Sequence, residues 1–248
     1  LHGAEGILFY FLNSNSSIKK ADLIIEYLNY LENSRIYFGR SFAIYSSISS
    51  TNGMKNVFNL GMAHGMASTI RILTKIYESN ENSLIKERSI KLLKGIVDFY
   101  FQVRIQDEIC SFSNRAFDES SFSRLAWCYG DLSIGIALMG ASKLFQDELV
   151  GNEALNICLK TTSRTSNENT GIKDAGICHG TAGLALMYSN LFDKSRIKEF
   201  KDASDFWVNK TIEKATFKDG VGGFKSYTNG GFQNEYSLLE GASGIGLV

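Results

Sequence analysis

Two hydrophobic patterns take turns along this chain. Stretches that are apolar nearly all round, at 3–12, 60–77, 131–146 and 180–192, each give way to a stretch with one apolar stripe and one charged face, at 18–31, 84–103, 148–160 and 195–214. In the first of the latter, Ile24, Ile25, Leu28 and Leu31 recur at helical spacing with Lys, Asp and Glu between them. In the second, Lys86, Glu87, Arg88, Lys91 and Lys94 mark the wet face. A helix apolar on every side must be buried, and an amphipathic neighbour must cover it. The alternation therefore predicts paired helices forming an inner and an outer layer. Residues 35–53, Ser-rich and closed by Asn52–Gly53, read as irregular or briefly extended, and 161–171 as a polar loop. The glycines from Gly220 to Gly231 mark a turn region with a small hairpin.

A short motif precedes each inner helix. Gly3, Gly65, Gly130, Gly180 and Gly241 are each followed three residues later by a small residue, and then by an apolar run. The copies lie roughly 50 to 65 residues apart, which is a repeat signature. The residue before the glycine is His2, His64, Tyr129, His179 or Glu240, and the one before that is cysteine at Cys128 and Cys178. Every histidine of the chain thus falls at one repeat position. If the repeats run around an axis, these side chains converge on a rim beside helix N-termini, whose dipoles favour a thiolate. The fold class is all-α. An α/α toroid and an α-solenoid whose Gly-x-x-Gly merely lets helices pack closely both satisfy the periodicity.

Composition narrows the partners. At 248 residues the chain makes one large domain or two small ones, with room for a sizeable core. Lys plus Arg equals Asp plus Glu at 26 each, so nothing points to nucleic acid or an anionic membrane. No apolar run reaches the ~18 residues of a membrane span, and no signal peptide opens the chain. Four cysteines without a dense framework read as reduced, cytoplasmic thiols. The chain starts at Leu1 inside one repeat and stops at Val248 inside another, and is read as a single domain, 1–248, lacking its N-terminal repeats and extreme C-terminus.

The motifs Gly61–Met62–Ala63–His64–Gly65, Trp127–Cys128–Tyr129–Gly130, Cys178–His179–Gly180–Thr181–Ala182–Gly183 and Leu239–Glu240–Gly241–Ala242–Ser243–Gly244 occur in one order across most of the chain. In that order they resemble the lanthionine synthetase C-like family. The resemblance implies an α/α toroid of seven repeats, five of them visible here, carrying one Zn2+ held by Cys128, Cys178 and His179. It implies a lanthionine synthetase, a cyclase of lanthipeptide biosynthesis that adds peptide Cys thiols to dehydroalanine or dehydrobutyrine. Its partners would be a dehydrated precursor peptide, a dehydratase and an exporter. His64, Arg124 and Tyr129 would be the remaining site residues. The sequence departs from the family where Gly130 is followed by Asp131, Leu132 and Ser133 instead of leading to Pro–Gly. The family's catalytic aspartate would fall before Leu1.

The residue types suit that chemistry. A free Cys thiol, with pKa ~8.5, is mostly protonated at neutral pH, and coordination deprotonates it. Two Cys and one His leave a fourth tetrahedral position open. Addition at the β-carbon creates an enolate, for which His64 can supply a proton, Arg124 charge and Tyr129 a hydrogen bond. Cys110 and Cys158 fall outside the repeat register and read as core thiols. Glu240 either serves the site or caps its helix, and His2 reads as structural. Other readings stand beside the cyclase: a zinc-thiol enzyme joining glutathione to dehydroamino acids, or a non-catalytic peptide-binding toroid. A glycosidase is disfavoured, because no paired carboxylates stand at the rim.

Overall fold

The computed structural model describes residues 4–14, 20–50, 53–118, 122–228 and 230–248. Helices α1 (Ala4–Asn13) and α2 (Lys20–Asn33) are followed by two antiparallel hairpins, β1–β2 (Arg35–Phe38, Ser41–Ile44) and β3–β4 (Ser46–Ser50, Gly53–Val57). Then come α3 (Met66–Ser79), α4 (Ser83–Gln102), α5 (Asp131–Phe145), α6 (Glu148–Thr161), the single turn α7 (Asn167–Thr170), α8 (Thr181–Ser195) and α9 (Lys198–Glu213). The hairpin β5–β6 (Ser226–Thr228, Gly231–Gln233) and α10 (Ala242–Ile245) close the described chain.

Helices pack as the alternating pattern requires: α1 with α2, α3 with α4, α5 with α6 and α8 with α9. Along the rows, α1 lies beside α3, α3 beside α5, and α2 beside α4. Gly6 of α1, Ile72 of α3, Ile136 of α5 and Met187 of α8 line one cavity of ≈ 460 Å³, so the inner row bends around a common space. In the outer row, α4 turns Ile85, Leu92, Leu93 and Ile96 inward and leaves Glu87, Lys91 and Lys94 in solvent. Each such Leu or Ile contributes about 1.5–3 kcal/mol relative to exposure. Asn82 and Asp147 start α4 and α6 by accepting two backbone N–H groups each with their own side chains. Tyr188 of α8 donates to Thr161 at the end of α6 (2.8 Å), tying the last helical pair to the one before it.

Several expectations needed amendment. The helix at 3–12 is not covered all round: α2 and α3 shield Leu8 and Leu12, while Ile7 (62%) and Tyr10 (68%) are exposed. Ile25 points outward, because the stripe that meets the core is Ile24, Leu28 and Leu31 and its neighbour lies about a quarter-turn away. The stretch read as irregular or briefly extended is extended, supplying β1 to β3 and the start of β4, and the loop 161–171 contains α7 with a Ser166–Asn169 capping box. The hairpin expected among the late glycines is β5–β6. His2, Asn52 and Asn229 lie outside the described residues.

Candidate metal centre

The rim is built by backbone. Ala63, Cys128, Cys178 and Leu239 each stand two residues before a motif glycine. Ala63 N–H donates to Cys128 O (3.1 Å), Cys128 N–H to Cys178 O (3.3 Å) and Cys178 N–H to Leu239 O (2.8 Å). Four loops are thereby joined side by side in chain order, and the N-termini of α3, α5, α8 and α10 share one edge.

Three of these loops share a further device. Asn59, Asp174 and Glu235, each six residues before the glycine, accept the N–H of the residue two ahead with a side-chain oxygen. Their carbonyls accept the first helical N–H, at Met66 (3.0 Å), Thr181 (3.2 Å) and Ala242 (2.9 Å). These helices therefore begin on glycine without a side-chain cap, since the preceding loop satisfies their first N–H. A Cβ on Gly180 would lie 2.3 Å from Gly176 N, and one on Gly183 would lie 1.9 Å from Ile177 O. The Gly-x-x-Gly spacing thus makes room for the copy's own loop, where helix-to-helix approach was the sequence expectation.

With the loops joined, Cys128, Cys178 and His179 bring their ligand atoms within 4.8 Å of one another. Both cysteines are buried and His179 is half-buried. Hydrogen bonding from Cys178, outweighing burial and reinforced by His179 and the Arg124 charge, lowers Cys128 to about 5. The same hydrogen bond, together with burial and the Cys128 charge, raises Cys178. Hydrogen bonds to Asp174 and Cys128 raise His179 to about 10. Two sulfurs and an imidazole, with a thiolate already favoured, are a donor set that fits a divalent metal ion and leaves a tetrahedral site one ligand short.

The other expected residues surround this cluster. Tyr129 packs with Cys128 and Cys178, and its hydroxyl accepts from Asn59 Nδ2 (3.0 Å). Its ring centroid lies 6.3 Å from that of His64. His64 is exposed, and its carbonyl accepts from Ser46 Oγ (2.8 Å). Both rings line a cleft of ≈ 580 Å³ together with Glu5, Tyr27, Tyr30 and Tyr45. Arg124 is half-buried and occupies in its own copy the place of Asn59 and Asp174. Glu240 Oε1 lies 3.9 Å from His179 Nδ1. Cys110 and Cys158 are buried apart from the cluster, Cys110 against Ser123 and Cys158 against Met139.

Two residues were missed. Asp174, 2% exposed, stands 3.5 Å from His179 Nε2, and Asn59 holds Tyr129. Extending the repeat six residues upstream of Gly65, Gly180 and Gly241 would have revealed the recurring acceptor.

The fold and site define a two-layered helical-repeat protein with a thiol–thiol–imidazole centre on its rim. The chain matches the lanthionine synthetase C-like family over residues 1–248 and belongs to it. It is 24% identical over 273 aligned positions to the nisin biosynthesis protein NisC of Lactococcus lactis subsp. lactis, covering 100% of this chain and 59% of the relative. A solved nisin cyclase structure shares the fold, with a TM-score of 0.74 and 23% identity, over 98% of this chain and 60% of that one. The chain thus spans about three-fifths of the length of these relatives.

Proposed function

We propose that this chain carries the active centre of a zinc-dependent lanthionine synthetase, acting on a dehydrated lanthipeptide precursor. The observation that carries the reading is the convergence of Cys128, Cys178 and His179 from two repeats, in a chain of this family. Cys128, Cys178 and His179 would hold the ion. When bound, zinc supplies a Lewis-acid centre that keeps a substrate thiol ionised at neutral pH.

In the net reaction a C–S bond forms at the β-carbon of dehydroalanine or dehydrobutyrine, the C=C bond becomes single, and the thiol proton is replaced by one delivered at the α-carbon. His64, exposed on the cleft wall, is placed to hand over that proton. Arg124 contributes positive charge near the sulfurs as the enolate develops. Tyr129 stands between cleft and cysteines and donates its own O–H to the substrate, while Asn59 donates to its oxygen. The cleft's tyrosines offer apolar faces with polar tips, suited to an extended peptide. Such a substrate has to be prepared by an enzyme that dehydrates Ser and Thr, and an exporter takes the product; the reaction belongs in the cytoplasm. Among the described residues no helix is long and apolar enough to cross a membrane.

The test is metal analysis together with incubation on a dehydrated precursor peptide. About one zinc per chain is expected, with loss of alkylatable peptide thiols at unchanged peptide mass, since the addition is an isomerisation. A chain that takes up no metal, or that leaves the thiols at their uncatalysed rate, overturns the reading.

A further inference from the structure

The turns that begin α3, α8 and α10 each use one side-chain acceptor. In the second copy that acceptor is an amide, with Asn59 Oδ1 accepting Gly61 N–H at 2.9 Å. In the fourth copy a carboxylate stands in the same place, and Asp174 Oδ1 repeats the bond to Gly176 N–H at 3.1 Å. Its second oxygen is therefore surplus to the turn. That oxygen accepts Tyr227 N–H (2.8 Å) and Ser226 Oγ–H (3.4 Å), and it faces His179 Nε2 at 3.5 Å. The other ring nitrogen, Nδ1, is turned towards Glu240.

We propose that Asp174 is the positioning residue of the metal centre: its Oδ2 holds the Nε2–H tautomer of His179, so that Nδ1 is the ligating atom. The inference rests on the reading of Cys128, Cys178 and His179 as a metal site. Which nitrogen of a histidine binds metal is set by the hydrogen bond that the other one makes, and a carboxylate partner fixes ring orientation and raises ligand basicity. The geometry suits that role. Asp174 is 2% exposed, so water competes little for its oxygen. Tyr227 and Ser226 anchor the same oxygen to β5, which fixes it independently of the imidazole. An Asn at 174 can still serve the turn, as Asn59 does, but its Nδ2 cannot accept from His179.

The experiment uses the full chain loaded with zinc, with ¹⁵N-histidine NMR to read the ligating nitrogen and a chromophoric chelator to measure affinity. In the unaltered protein the His179 Nδ1 resonance should carry the metal-bound signature and Nε2 should be protonated. Asp174→Asn should bind zinc roughly 10- to 100-fold more weakly, with the Nε2 proton exchanging faster. Ser226→Ala removes the longer of the two anchors and leaves Tyr227 N–H on the same oxygen, so it should keep the tautomer and lower affinity far less than Asp174→Asn does. Nε2 ligation in the unaltered protein overturns the proposal even if Asp174→Asn does not fold. Unchanged affinity and spectrum in Asp174→Asn overturn it too. Failure of the unaltered protein to bind zinc instead sinks the metal reading on which the inference rests.

Discussion

The loops Asn59–Gly65 and Asp174–Gly180 are one structure put to two uses. Each closes through a side-chain oxygen on the N–H two ahead and a carbonyl on the first helical N–H. Each carries histidine before the glycine, and each donates from the residue before that histidine to the next loop. Yet His64 stands exposed on a cleft wall while His179 is half-buried between Asp174 and Glu240. The scaffold comes from backbone, glycine and that one side-chain acceptor, which amide and carboxylate supply equally. Two differences set the copies apart: Cys178 where the second copy has Ala63, and Asp174 where it has Asn59. A repeat whose start is secured by its own loop can vary the residue two before the glycine and exchange one acceptor for another.

The largest expected effect falls on the fourth loop. Cys178→Ala should reduce bound zinc from about one equivalent to almost none, and cyclisation should fall towards the uncatalysed addition. Metal analysis of both proteins checks this, and full zinc retention in the variant would separate the fourth loop from the metal.

The second loop should respond in a different way. His64→Ala leaves the bond from Ser46 Oγ to the carbonyl of residue 64 in place and removes none of the three proposed ligands, so zinc content and fold should persist. Loss of a positioned acid typically costs about 10²–10⁴ in rate. Water could then protonate the enolate from either face, giving mixed configuration at the α-carbon. Chiral chromatography of hydrolysed product reads this out. A single configuration at the unaltered rate would demote His64 to a wall residue.

Much of this was legible in the sequence. The paired helical patterns fixed the layers, and the glycine register grouped Cys128, Cys178, His179, His64 and Tyr129 before any contact was known. Hydrogen-bond direction was not legible, because it depends on how adjacent loops abut. The capping role of Asn59 and Asp174 stayed hidden for that reason. The coverage of α1 was overestimated, since an apolar pattern states what a helix can bury and not what its neighbours supply. In β3 four of five residues are serine, so no apolar alternation marks the strand.

Without metal, the contrast between the loops should appear as a pH dependence. Cys128 is lowered from 9.0 to about 5, so its contribution is full above 9.0 and disappears as pH falls through about 5. His179 is raised from 6.5 to about 10, so its contribution is full below 6.5 and disappears as pH rises through about 10. Stability of the metal-free chain should thus be level between 6.5 and 9.0 and decline on both sides. Cys128→Ser should abolish the acid-side decline that denaturant titrations at several pH values detect. Persistence of that decline would assign it to other groups.

The smallest effect is the most discriminating. Tyr129, from the third loop, packs on the second: its ring lies against Gly61, where an added Cβ would meet it at 2.5 Å, and its hydroxyl accepts from Asn59. Tyr129→Phe keeps the ring and removes the oxygen. Asn59 is 1% exposed, so its Nδ2 would lose a partner that water cannot readily replace. Stranding a buried donor costs about 1–3 kcal/mol, which for a chain of this size is a fall of several degrees in Tm, at roughly 2–4 °C per kcal/mol. If His64 delivers the proton, Tyr129→Phe should slow cyclisation by no more than about tenfold, the equivalent of one hydrogen bond, with product configuration unchanged. A loss as large as that of His64→Ala, with mixed configuration, would transfer the proton to the Tyr129 hydroxyl. Asn59→Ala is the companion variant: it removes the same hydrogen bond while leaving the phenol in place, and its loss of the acceptor for Gly61 N–H should add to the fall in Tm.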